Sequence, residues 1–536
     1  MSASSKKKLR AEENAAKLTE RQKAQIKEDK KTKAYTIGFG VVLALLVVIA
    51  AVVGVNQAIA NSGSREKKTV ALTLGDKSLT NAELSYYFID SVNSFYSQNG
   101  SYLSLFGLDT TKALDQQTYN EETGETWADY FLSSAEENAK SVYAVCQEAE
   151  ANGYVLDEDG ENQITTAASN LSVYASLYGY SKAEDYLKAM YGKGATMDGY
   201  QSYLRSNLTA SGYQQQYQDS LTFTDDEVAA KDAEDPNVYN SYSYNQYYLS
   251  VSRYLDDEAT NAEKAAAAEA DAKAITADSI QTVEDMDAAI AALDVNADSS
   301  AASTSMDDNR YTALNSVISQ WVSDSSRKAG DKTYIASTST TTDDEGKEVT
   351  TVSGYYAVYF RGMTDNKFDL VNVRHILAGF EGGTTDDSGN TTYTDEEKAA
   401  AKEKAESWLN EWESGEATEE SFAELAKTNS TDTGSKDNGG LYEDVYPGQM
   451  VSAFNNWCFD ESRKPGDTGI VETSYGYHVM YFVGQAEDTY RAYLIKNDLT
   501  SEDYTNWYNA LVDGLSMTEG DTSYIRTNIV LSSGSN

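Results

Sequence analysis

The chain has 536 residues, 40% of them hydrophobic, with 40 tyrosines, three prolines, two cysteines and two histidines. Its length implies three or four domains. Its formal net charge of −42 excludes nucleic acid as a partner, because phosphates need Lys and Arg to neutralise them. Cys146 and Cys458 lie far apart and read as separate buried thiols, with a single bridge between them left open. The chain shows neither a Cys/His cluster nor EF-hand spacing, so no metal and no cofactor is expected.

The charge is partitioned: residues 1–33 carry +6 and residues 34–536 carry −48. No charged residue occurs over 34–64, and the 21 residues from Tyr35 to Val55 are mostly Val, Leu, Ile, Ala and Gly. At about 1.5 Å per residue such a helix matches the roughly 30 Å of a bilayer's hydrocarbon core. Lys6, Lys7, Lys8 and Arg10, with Lys27, Lys30, Lys31 and Lys33, should stay in the cytoplasm. The reading is a basic tail over 1–33, a transmembrane helix over 34–57 and an extracytoplasmic body. A cleaved signal peptide is the competing reading, with Ala58-Ile59-Ala60 imitating a cleavage site.

The exterior opens with a small hairpin over 70–79, turned at Gly75-Asp76. Thr80-Asn81-Ala82-Glu83 is a capping box, followed at helical spacing by Leu84, Tyr87, Phe88, Val92 and Phe95. Helices are predicted over 125–151, 165–178, 183–191 and 197–220, and a further helix start at Thr224-Asp225-Asp226-Glu227. Their aromatics read as core, with a tyrosine-lined groove left open. Asp157 to Gly160 is a loose acidic loop without calcium-ligand spacing.

An internal repeat follows. Trp321, Asp324, Ser326, Arg327, Lys328, Gly330 and Asp331 recur as Trp457, Asp460, Ser462, Arg463, Lys464, Gly466 and Asp467, seven identities in eleven positions. Thr260 to Ala267 resembles Thr394 to Ala401, and Gly354 to Phe360 resembles Gly476 to Phe482. Collinear matches of this kind imply two copies of one domain, over 240–366 and 369–487. The first copy carries Tyr356 where the second has His478, and Tyr247 where it has His375. It has an Ala/Ser/Asp-rich stretch over 292–308, read as loop, so it is expected to be a packing or binding unit without activity.

In the second copy a strand is predicted over 370–380, helices over 395–412 and 421–427 with Phe422 and Leu425 facing inward, and a hairpin over 471–483. Its phrases are Val373-Arg374-His375-Ile376-Leu377, Gly439-Gly440, Gly448-Gln449-Met450-Val451-Ser452-Ala453-Phe454 and Tyr475-Gly476-Tyr477-His478-Val479-Met480. In that order they resemble the parvulin family of peptidyl-prolyl cis/trans isomerases. The resemblance implies a small antiparallel sheet wrapped by helices, with the two histidines on adjacent central strands.

It also implies roles. Met450 and Phe454 would floor a proline pocket, with Tyr442 as a third apolar wall. His375, His478 and Thr473 would form a buried hydrogen-bonded network. Asp432 would sit beside the substrate carbonyl, with Thr433 the alternative one residue on. The chain departs from the family's Gly-Gly-Asp-Leu-Gly, having Leu441-Tyr442-Glu443 after Gly440. The loop over 380–393 holds Asp386 and Asp387 and no Lys or Arg, so phosphorylated substrates are not expected.

The whole is read as α+β: two parvulin copies, a mainly helical chaperone-like domain over 68–235, one N-terminal transmembrane helix, and a C-terminal segment over 488–536. That segment should contain a helix over 501–515 and a strand-like stretch over 524–531, packing on the helical domain. The arrangement resembles membrane-anchored extracytoplasmic foldases of the PrsA/SurA type. Implied partners are unfolded or partly folded secreted polypeptides with X-Pro bonds, and a lipid bilayer through one helix, with a homodimer left open. The rival reading is a non-catalytic holdase or binding scaffold with both parvulin copies inactive.

Overall fold

Threonine sets where many of the helices begin. Thr80, Thr126, Thr224, Thr260, Thr282 and Thr394 each cap a helix through the side chain, and an acidic residue three positions on returns to the cap's own backbone N–H. Each such box satisfies two of the donors that a helix start leaves orphaned. A computed structural model describes residues 63–531, apart from 255–258, 298–299, 343–345 and 387. The predicted transmembrane helix over 34–57 lies outside the described residues. Among the described residues no helix is long and apolar enough to cross a membrane.

Two units are distinguished among these residues: 63–222 with 499–531, and 223–498. The first unit is mainly helical. Its hairpin, Val70–Leu74 and Lys77–Thr80, turns at Gly75 with φ +58°, and Met517–Glu519 adds a third antiparallel strand. Helices Asn81–Asn99, Trp127–Ala151, Glu158–Leu177, Ala183–Tyr191 and Met197–Ser220 follow. Leu84, Phe88, Trp127, Phe131, Tyr186 and Met190 are buried together with Ile525 and Ile529.

Three expectations in this unit are corrected. The helix expected from 165 starts at Glu158, because the Asp157 side chain accepts from Gly160 N–H at 2.8 Å; the acidic loop is a helix cap. The helix expected over 501–515 is Tyr490–Gly514. The stretch over 524–531 forms no strand, only one bridge from Val530 to Ala113. It buries Ile525, Ile529 and Leu531 instead, which is what gave it an apolar, strand-like look.

The second unit holds two four-stranded antiparallel sheets. The first is made of β1 (Ser241–Ser250), β2 (Thr304–Arg310), β3 (Lys332–Thr342) and β4 (Glu348–Thr364), in the order β2-β1-β4-β3. The other is made of β5 (Asp369–Gly379), β6 (Leu441–Val445), β7 (Thr468–Thr473) and β8 (Gly476–Thr489), in the order β6-β5-β8-β7. The two orders are the same. β2 overlaps the stretch expected to be loop over 292–308: pairing with β1, from Ser241↔Arg310 to Gln246↔Thr304, overrides its polar composition.

Each sheet has helices on one face and a second apolar cluster on the other. In the first sheet, α1 (Asn261–Ile275) and α2 (Val283–Ala291) pack on Leu249, Tyr355, Ala357 and Tyr359. In the other, α3 (Asp395–Ser414) and α4 (Glu419–Asn429) cover Ile376, Ala378 and Val479, with Phe422 fully buried and Leu425 partly so. The opposite faces carry Leu314, Ile318 and Val322 in the first sheet, and Met450, Phe454 and Cys458 in the other. The last three belong to or directly precede α5 (Ser452–Cys458).

The repeated turn is built alike in both places. Ser326 N–H and Ser462 N–H donate to Asp324 and Asp460 at 2.8 and 2.9 Å, and Lys328 N–H and Lys464 N–H donate to Asp331 and Asp467 at 2.9 Å. Arg327 and Arg463 lie over Trp321 and Trp457. The strand register corrects one alignment. His375 stands opposite Met480, and Gln246 stands opposite Val358, the residue matched to Met480. The first-sheet counterpart of His375 is therefore Gln246, not Tyr247. A slip of one residue changes the face, and Tyr247 packs on the α1/α2 side.

Candidate active site

The site face of the second sheet is set by strand alternation. Val371, Val373 and His375 on β5 share a face with His478, Met480 and Phe482 on β8, since β5 and β8 pair antiparallel with His478 opposite Leu377. Both imidazoles are buried, His375 at 2% and His478 at 5% exposure. Buried rings of this kind need partners, and these have them. The rings lie 5.0 Å apart at 22°, with their Nδ1 atoms 2.8 Å apart. His375 Nε2 meets Asp432 Oδ2 at 2.8 Å, and His478 Nε2 meets Thr473 Oγ1 at 2.8 Å.

A carboxylate only accepts, so the proton on His375 Nε2 points to Asp432. One proton joins His375 Nδ1 to His478 Nδ1, and His478 Nε2 pairs with the Thr473 hydroxyl. Thr473 Oγ1 in turn receives Tyr475 N–H at 3.1 Å and lies 3.4 Å from Gly476 O, to which it can also donate. The result is one continuous hydrogen-bonded chain from the hairpin turn to the carboxylate. Ser435 Oγ at 2.6 Å and the Tyr442 hydroxyl at 2.7 Å donate to the same Asp432 oxygen.

Burial opposes the charge on Asp432. The hydrogen bond from His375, its charge, and the bonds from Ser435 and Tyr442 outweigh burial and hold the carboxyl well below its usual range. Burial, and secondly His375, push the His478 imidazole well below its ordinary value, with Asp432 opposing, so it is neutral at physiological pH.

Backbone geometry explains the glycine phrases. Gly439 and Gly440 have φ +67° and +73°, and a Cβ on Gly440 would lie 2.1 Å from His375 O. Only glycine lets the chain pass this close while His375 N–H donates to Gly440 O at 2.9 Å. In the Gly-Gln-Met phrase, Gln449 Oε1 accepts Tyr446 N–H at 3.0 Å and Asn455 Oδ1 accepts Gly448 N–H at 2.5 Å. Those bonds present Met450 to the sheet. Phe454, from α5, sets its edge against both histidines, with centroids 5.4 Å away.

All seven expected site residues, His375, His478, Asp432, Thr473, Tyr442, Met450 and Phe454, meet in this one place. Asp432 is the residue bonded to His375; Thr433, the alternative, is exposed. Tyr442 does more than the apolar wall expected of it, because its hydroxyl joins the polar network. Ser435 was not foreseen as a participant, although it lies three residues after Asp432, within reach of a side-chain bond across a tight turn.

Comparison with known proteins bears on this region. The family model described as the PPIC-type PPIASE domain matches residues 357–486. Foldase protein PrsA 1 of Listeria innocua is 40% identical over 94 residues, which is 16% of this chain and 32% of that protein. Foldase protein PrsA 2 of Listeria monocytogenes is 44% identical over 61 residues, 11% of this chain and 21% of that one. The chain thus spans about a third or less of the curated relatives it matches. The crystal structure of PrsA from Bacillus subtilis is 14% identical, covering 76% of this chain and 90% of its own, with a TM-score of 0.26.

Proposed function

We propose that this chain, which carries a PPIC-type peptidyl-prolyl isomerase domain over residues 357–486, is a membrane-anchored extracytoplasmic foldase that isomerises X-Pro bonds in secreted polypeptides. The observation that carries the reading is the hydrogen-bonded chain Thr473–His478–His375–Asp432 beside Met450 and Phe454. The relatives named foldase support it, as does the uncharged run over 34–64 behind a basic tail.

Rotation about an X-Pro bond is slow because amide resonance must be broken, at about 18–20 kcal/mol. The site lowers that barrier without a nucleophile. Met450, Phe454 and the Tyr442 ring hold proline in apolar surroundings, and the fixed polar chain offers a preorganised environment to the twisting amide. Asp432 lies beside the amide and orients His375, and the His478 imidazole, held neutral by burial, adds no charge to the floor of the site. The helical unit would hold unfolded segments, and the first sheet would be a copy that has lost its site. Gln246 and Tyr356 stand where the histidines do, while Leu314, Ile318 and Val322 keep the apolar cluster.

Prolyl cis/trans exchange on a proline peptide tests the reading. Catalysis by the full chain that is lost in the His375→Ala/His478→Ala variant supports it; equal rates for variant and parent sink it. One observation favours a holdase instead: Met450 and Phe454 are only 6% and 3% exposed, so little pocket floor meets solvent. Suppressed aggregation of an unfolded client by a chain without prolyl exchange would establish that reading.

A further inference from the structure

We propose that Tyr442 is a positioning residue of this site, its hydroxyl fixing the Asp432 carboxylate against His375 in addition to the wall its ring supplies. The inference rests on the isomerase reading of the second sheet. Tyr442 stands on β6 opposite Val373, which puts its side chain on the His375 face. Its ring stacks on His375 with centroids 5.2 Å apart at 26°. Its hydroxyl reaches Asp432 Oδ2 at 2.7 Å, where Ser435 Oγ and His375 Nε2 also converge, while Gly434 N–H donates to Oδ1 at 3.2 Å.

An apolar wall needs only the ring. The hydroxyl adds a charge-assisted bond from a third direction: His375 reaches Asp432 from β5, Ser435 from the loop that holds Asp432, and Tyr442 from β6. A carboxylate tied to three elements keeps one rotation, and with it the orientation of the imidazole it accepts from. The first sheet gives the contrast. Met306 on β2 stands opposite Tyr244 on β1 as Tyr442 stands opposite Val373, and the histidines are replaced by Gln246 and Tyr356. At this one position the sheet with the imidazoles and the carboxylate has a tyrosine, and the sheet without the imidazoles has a methionine.

Tyr442→Phe keeps the ring and removes the donor. In the full chain, kcat for prolyl exchange is expected to fall roughly tenfold with KM within about twofold, since a bond to a charged group is lost while the wall stays. Labelling only histidine with ¹⁵N gives signals from two residues in the whole chain, and the His375 ring signals are expected to move in the variant. A Tyr442→Phe enzyme with the parent's kcat, or unmoved His375 signals, overturns the proposal. A parent without prolyl exchange defeats the isomerase reading itself, and the histidine signals then decide the hydrogen bond on their own.

Discussion

His375 and His478 are the only histidines in the chain, and both are buried. His478 is held well below its ordinary pKa by burial first and by its neighbour second. The unfolded chain therefore takes up a proton below about pH 6.5 that the folded chain refuses. The group costs no stability above that pH, and stability falls as pH drops below it. Asp432 behaves as the depressed acid it is: its contribution is present above the ordinary carboxylate range and is lost only in strong acid. Histidine-labelled NMR should show His478 in its neutral form well below pH 6; protonation with a midpoint near 6.5 would contradict the network. These residues were legible from their phrases in the sequence. The second role of Tyr442 was not, because a one-residue window cannot tell a hydroxyl that meets solvent from one that meets a carboxylate ten residues back.

At the scale of elements, the sequence revealed most where local chemistry is self-contained. The capping box at Thr80 and the repeated Asp-x-Ser-Arg-Lys turn are made by residues a few positions apart, and both appear as read. β2 and β6 were missed because short polar strands are fixed by the partner they pair with, not by their own composition. The true counterpart of His375 likewise needed the strand register, since an alignment off by one residue looks nearly as good in sequence and is on the wrong face in space.

Helix Trp127–Ala151 carries its own test. Glu136 is 6% exposed, and burial, then Glu519 and Glu137, raise its carboxyl to about 7. A raised acid binds its proton more tightly when folded, so it subtracts stability as pH climbs from about 4.5 to 7. Glu136→Gln should remove that slope and stabilise the chain by about 2 kcal/mol at pH 8. Denaturant midpoints measured at pH 5 and pH 8 would check it; a parent and variant that differ equally at both would not fit.

For the whole molecule, two sheets share one strand order, one repeated turn and one apolar cluster, and they differ in the residues that could do chemistry. The repeated Trp-to-Asp turn was legible in the sequence because it is held by its own side chains. Sequence could not show that the central strands of the two sheets are equivalent, which depends on pairings between 97 and 123 residues apart. Prolyl exchange is proposed for the second sheet and not for the first. Prolyl cis/trans exchange by the full chain, compared between Tyr356→Ala and His478→Ala, tests this most directly. The account predicts a Tyr356→Ala variant as fast as the parent and a His478→Ala variant slowed at least tenfold. Equal losses from the two variants, or no loss from His478→Ala, would contradict it.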